Sequence, residues 1–153
     1  MRKPPFKAPN FSLHNESGKI IKLSDFSGKW LVLYFYPADN TPGCTLEACG
    51  MRDARDEIIN LGAEVVGISK DSSKSHDAFK AKYTLNFSLL SDQTLEVIKA
   101  YSCFGKKMFG VEGVHRRTFL IDKEGVVRKI YGKVNPIGHN KQVVKDLIEL
   151  QQK

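Results

Sequence analysis

A chain of 153 residues, 41% hydrophobic and 27% charged, has the make-up of one globular domain, residues 1–153, with enough apolar material for a real core. Its formal charge of +7, from 24 basic and 17 acidic side chains, can steer anions but does not by itself mark a nucleic-acid reader. Three cysteines, an odd number behind no signal-peptide pattern, argue against a disulfide framework and for thiol chemistry in a reducing compartment, so a cytoplasmic location is expected. The longest apolar run, Trp30 to Tyr36, is too short to cross a bilayer, and no membrane association is expected.

In chain order, FSLHNESGKIIKL reads as two short strands around a turn at Asn15 to Gly18, a hairpin over 10–23. WLVLYFY (30–36) is a strand of the type buried on both faces, and Pro37 ends it. Thr41 is a candidate N-cap and Pro42 suits the first helical position; Met51, Ala54, Ile58 and Leu61 then recur at spacings of three and four, and Gly62 is a plausible stop. AEVVGIS (63–69) is a second buried strand, followed by caps in DSSKSH for a helix over 73–83. That βαβ unit predicts parallel strands and a right-handed crossover. A short strand is predicted at 87–90, and Asp92 can cap a helix carrying Leu95, Ile98 and Tyr101. Glycine-rich residues 103–113 lack periodicity and are read as a loop. VHRRTFLI (114–121) and VVRKIY (126–131) form a hairpin about DKEG, and a last helix over 139–151 presents Val144, Leu147, Ile148 and Leu150 on its apolar side. The order βββαβαβαββα belongs to the α/β class, a mixed central sheet with helices on both faces and an N-terminal hairpin. Ligand chemistry in open α/β sheets gathers at the carboxyl ends of strands, and Cys44 falls there, just past Tyr36.

Cys44 lies in the first turn of its helix. The thiolate is the nucleophilic form of cysteine, and unpaired N–H groups with the positive end of the helix dipole favour the anion. Cys49, five residues on, is near enough in sequence to pair with it if the helix opens, and a reactive thiol with a resolving partner is a signature of peroxide chemistry. The competing reading is that both are small buried hydrophobes of an ordinary helix. Placement alone leaves the two open.

Pro37, Thr41 and Cys44 match the Pro-x-x-x-Thr-x-x-Cys pattern of the peroxiredoxins, and PGCTLEAC, with its second cysteine five positions after the first, resembles the Q-type branch, the bacterioferritin comigratory proteins. The resemblance runs from APNFSL through LSDFSGKWLVLYFYP and KYTLNFSLLSD to HRRTFLIDKEG. It implies a thioredoxin-like fold and a thiol peroxidase needing no metal or prosthetic group. Hydrogen peroxide and organic hydroperoxides would oxidise Cys44 to a sulfenic acid, Cys49 would condense with it, and thioredoxin would reduce the disulfide. Pro37 would shield the thiolate, while Thr41 and Arg116 would orient and polarise the peroxide. Strand alternation puts Val114, Arg116, Thr118 and Leu120 on one face and His115 and Arg117 on the other, so only one arginine can face Cys44; the resemblance selects Arg116. Arg117 stands where a small or apolar residue is expected.

Glu47, read as part of the first helical turn, serves either the helix dipole or catalysis. His14, His76, His115 and His139 show no metal-ligand spacing with one another or with the cysteines, and Cys103 is expected to be a semi-buried bystander. A monomer without a specific nucleic-acid partner is expected. One rival function is a thioredoxin-like disulfide reductase, which wants Cys-x-x-Cys where this chain has Cys-x4-Cys. Another is a basic nucleic-acid-binding domain using Lys106, Lys107, Arg116 and Arg117. Cys44 and Cys49 also pose a geometric problem: in an intact helix their Cα atoms stand about 8.6 Å apart. A disulfide needs roughly 4.4 to 6.8 Å, so pairing requires the helix to unwind.

Overall fold

Every residue of β4 (Trp30–Phe35) is buried, because the strand lies inside an eight-stranded sheet in the computed structural model, which describes residues 1–152. It pairs in parallel with β5 (Ala63–Ser69), which pairs in parallel with β6 (Ser88–Ser91). On its other side β4 runs antiparallel to β9 (Arg117–Ile121), and β9 to β10 (Val126–Tyr131). One edge is closed by β1 (Phe6–Lys7), the other by the hairpin of β2 (Ser12–Asn15) and β3 (Ile20–Lys22). The mixed sheet expected from the sequence is present; β1 was not foreseen, since two residues carry no periodicity.

Alternation along β4 divides the core. Trp30, Val32, Tyr34 and Tyr36 point toward Met51 and Ile58 of α1 (Pro42–Asn60), Phe79 of α2 (Ser73–Tyr83) and Val143 and Leu147 of α4 (His139–Gln151). Leu31, Leu33 and Phe35 point the other way, into a cluster with Phe11, Phe119 and residues Val97 and Ile98 of α3 (Glu96–Ala100). Each fully buried aliphatic or aromatic side chain contributes about 1.5–3 kcal/mol, which is why a two-faced strand can anchor both layers.

The helix ends follow local chemistry. Thr41 takes the extended N-cap conformation before Pro42, and Gly62, at φ +74°, stops α1 in a left-handed conformation that suits glycine. Ser72 caps α2 by accepting from the Ser75 amide at 3.1 Å. Asp92 accepts from the Ile98 amide at 2.7 Å, but the helix it serves spans only Glu96–Ala100, entered through a left-handed Leu95.

Three expectations need correction. Residues 103–113 are not a plain loop: β7 (Phe104–Lys106) and β8 (Glu112–Val114) pair antiparallel, Gly105 facing Gly113, in strands too short and glycine-rich to show a period. The predicted strand 114–121 is broken, since β8 ends at Val114 and β9 begins at Arg117, with the His115 amide bonded to the Cys103 carbonyl. Alternation therefore does not carry through the break, and Val114 packs with Phe119 while Leu120 packs on the opposite face. On α4 the buried line is His139, Val143 and Leu147; Val144 and Leu150 are marginal and Ile148 is 40% exposed.

Candidate active site

The loop 36–41 leaves the carboxyl end of β4 and delivers the chain to α1, whose third residue is Cys44, buried at 1% exposure. Pro42 has no amide hydrogen, and the amides of Gly43 and Cys44 precede that of Thr45, the first to donate within the helix, to the Thr41 carbonyl, so this helix start is positive. Into it comes Arg116, from the break between β8 and β9. One guanidinium nitrogen, Nη2, stands 3.3 Å from Cys44 Sγ and the other, Nη1, donates to Glu47 Oε1 at 2.8 Å. A Cβ on Gly43 would lie 3.0 Å from Arg116 Nη2, so glycine is what lets the guanidinium lie against the helix start.

Glu47 is the sixth residue of α1, hence in its second turn and not its first, and it is 1% exposed. It does not serve the helix dipole. Burial pushes its carboxyl up to about 7 against the pull of Arg116. Its Oε2 and the hydroxyl of Tyr34 are buried without a hydrogen-bond partner among the described residues. Burial lowers the Arg116 pKa, but Cys44 and Glu47 outweigh it and hold the guanidinium above its ordinary value.

The other expected residues are placed less directly. Thr41 occupies the N-cap, yet its hydroxyl makes no cap bond and donates to the Ala38 carbonyl at 3.1 Å. Pro37 is half-buried between β4 and this loop. Cys49 is half-buried, free and in the same unbroken helix as Cys44. Arg117 points away, donating to the Ser102 carbonyl. Cys103 is buried on the α3 side of the sheet, the opposite face from Cys44, and burial pushes its thiol up to about 12. It is a core hydrophobe.

Sequence reasoning missed a buried polar cluster behind the loop. Asp39 Oδ1 accepts from Tyr36 Oη at 2.7 Å, and Oδ2 meets Ser75 Oγ and His76 Nδ1, each at 2.8 Å. The Asp39 amide donates to Asp71 at 2.9 Å, and Asp71 in turn accepts from Ser69 Oγ at 2.6 Å. Asp39, Asp71 and His76 offer ligand-type atoms within 4.8 Å of one another, but those atoms are already engaged with each other and with hydroxyl donors. The histidine spacing speaks only to metal binding; the available signal for this cluster is an aspartate in the loop before the cysteine.

The model of the AhpC/TSA family matches residues 6–130. The chain is a peroxiredoxin of that family. As such it is an oxidoreductase that reduces peroxides through a cysteine thiol. This peroxiredoxin is 43% identical over 150 residues to peroxiredoxin Bcp of Bacillus subtilis, covering 96% of each chain, and 39% identical over 145 residues to peroxiredoxin Bcp of Escherichia coli, covering 93% of each. Among solved structures it superposes on peroxiredoxin Q of Xanthomonas campestris with TM-score 0.87 and 39% identity, over 91% of this chain and 90% of that one. A cysteine-to-serine variant of the Xylella fastidiosa protein gives 0.91 and 32%, over 98% and 99%. The peroxiredoxin Q branch and the thioredoxin-like fold read from PGCTLEAC therefore hold. No helix among the described residues is long and apolar enough to cross a membrane.

Proposed function

We propose that Cys44 is the thiol that attacks the peroxide and that Cys49 resolves it. The observation that carries this is the Arg116 guanidinium, which reaches both the Cys44 sulfur and Glu47 at a helix start. A thiolate there attacks the terminal oxygen and the O–O bond breaks; the leaving oxygen takes a proton and departs as water or an alcohol, while Cys44 becomes a sulfenic acid. Arg116 offers a fixed positive charge to the sulfur and to the oxygen carrying developing charge. Thr41 and Pro37 shape the approach from the loop. Cys49 then displaces water from the sulfenic acid to form the Cys44–Cys49 disulfide, and an external dithiol, thioredoxin, returns both thiols.

Substrates are hydrogen peroxide and organic hydroperoxides. The similar Xanthomonas campestris bacterioferritin comigratory protein, 38% identical, has alkyl peroxide reduction activity, which supports the second class. Because both cysteines belong to one helix, no second subunit is needed, and the enzyme works as a cytoplasmic monomer. Against the nucleic-acid reading, Arg116 is committed to Cys44 and Glu47 and unavailable to a phosphate.

The test is peroxide consumption with a thioredoxin system. Cys44→Ser loses essentially all turnover, since a serine alkoxide is not available at neutral pH. Wild-type turnover in that variant overturns the assignment.

A further inference from the structure

Asp39 is the one acidic residue of the loop that carries Pro37 and Thr41, and its side chain is 2% exposed. Burying a carboxylate is costly unless donors surround it. Three do so from two sides: Tyr36, just past β4, and Ser75 and His76 in the first turns of α2. Burial pushes the Asp39 carboxyl up, but the bonds from His76, Tyr36 and Ser75 win and leave it below its ordinary range. His76 is fully buried, and its other nitrogen, Nε2, lies 2.9 Å from the Leu90 carbonyl at the end of β6. Both ring nitrogens thus face acceptors, a carboxylate and a carbonyl. The buried ring bridges the loop and the sheet, and Nδ1 also stands 3.5 Å from the Tyr36 hydroxyl. The other charged group here is Asp71, which holds the Asp39 amide.

This constellation lies behind the reacting atoms and touches none of them. We propose that His76 is a positioning residue: through Asp39 it fastens the 37–41 loop to α2 and β6, and so holds the start of α1 in the form that presents Cys44 to peroxide. Releasing the fastening favours the opened helix in which Cys44 turns toward Cys49. The two stages of turnover therefore respond oppositely to the same bond. The proposal rests on Cys44 as the attacking thiol for its kinetic half only; its structural half concerns the loop alone.

The experiment has two arms, run on His76→Leu and on Ser75→Ala, a milder variant that removes one donor to Asp39 and leaves the buried ring in place. In the reduced protein without peroxide, amide exchange over residues 40–46 accelerates about tenfold in His76→Leu, the effect of losing one charge-assisted hydrogen bond, and less in Ser75→Ala. Exchange in the centre of β5 stays as in wild type. In single-turnover kinetics, oxidation of Cys44 slows by about the same factor while closure of the disulfide is faster. His76→Asn, which keeps one donor toward Asp39, recovers part of both effects. Protection lost equally from β5 and the loop, or oxidation and closure slowing together, assigns His76 a general structural role and overturns the proposal. Unchanged protection over 40–46 in both variants overturns it as well. Failure of the Cys44 assignment appears in the kinetic arm alone, with the exchange pattern intact.

Discussion

At Arg116 the break in the strand matters more than the strand. A residue inside β9 would have its direction set by the pleat, whereas Arg116 stands just outside the ladder and folds back over Gly43 onto Cys44 and Glu47. Arg116→Ala therefore slows the first oxidation of Cys44 by about a hundredfold or more, the usual loss when a charge-stabilising donor is removed from a reaction centre. Arg117→Ala leaves that step unchanged, because its guanidinium is spent on the Ser102 carbonyl. Stopped-flow oxidation of the two variants by hydrogen peroxide decides it, and equal slowing contradicts the geometry. Glu47 gives a second outcome, with a definite sign. Its folded pKa is about 7, raised above that of an ordinary carboxyl by burial, so between about pH 4.5 and 7 the folded protein binds a proton that the unfolded chain has lost. That contribution is fully present below the unfolded pKa and is lost as pH rises through 7, at a slope on the order of 1 kcal/mol per pH unit within the window. Denaturant titrations from pH 5 to 8 should show this decline in wild type and a flatter profile in Glu47→Gln. Identical profiles would sink the role given to burial.

At the scale of elements, helix α1 has to be two things. Intact, it buries Met51 and Ile58 and keeps Cys44 against Arg116; for the proposed Cys44–Cys49 disulfide it must open, since no unbroken helix closes a disulfide across five residues. Gly50, immediately after Cys49, has low helix propensity and lowers the cost of that opening. The structure adds a packing reason, because a Cβ there would come within 3.2 Å of Asn140 of α4. Amide exchange over 42–55 is expected to rise sharply in the disulfide form relative to the reduced form, while the rest of α1 down to Asn60 stays protected by its core face. Equal protection in both forms, with the Cys44–Cys49 bond established by mass spectrometry, is the contrary result. The elements legible from sequence were those with strong periods: β4, α1, β5, α2, β10 and α4 fall within a residue or so of expectation. The β7–β8 hairpin was not, because three-residue strands with paired glycines have no period to read. Nor was the Asp39–His76 contact, which joins residues 37 apart through tertiary packing alone. Cys44 was legible because its signal is local, a cysteine just inside a helix start. Glu47 was only half so: its spacing placed it near the cysteine, but its burial depends on Arg116, 69 residues away.

For the molecule as a whole, the sheet order β1-β10-β9-β4-β5-β6-β2-β3 puts β4, whose carboxyl end leads to Cys44, at the centre and the first strands of the chain at both margins. Residues 6–22 thus do for the sheet what a hem does for cloth. β1 covers the free side of β10, β2 covers that of β6, and between them Ala8 and Phe11 are buried against the α3 layer. Removing the segment through Lys22 strips both margins at once, leaving β10 and β6 with open rows of amides and carbonyls and an apolar trough where Phe11 lay. Open margins pair with one another between molecules. Such a shortened chain would keep every residue of the active site and still be lost from solution, as light scattering that climbs with protein concentration, so the enzyme's colloidal integrity is vested in a stretch that never approaches a peroxide.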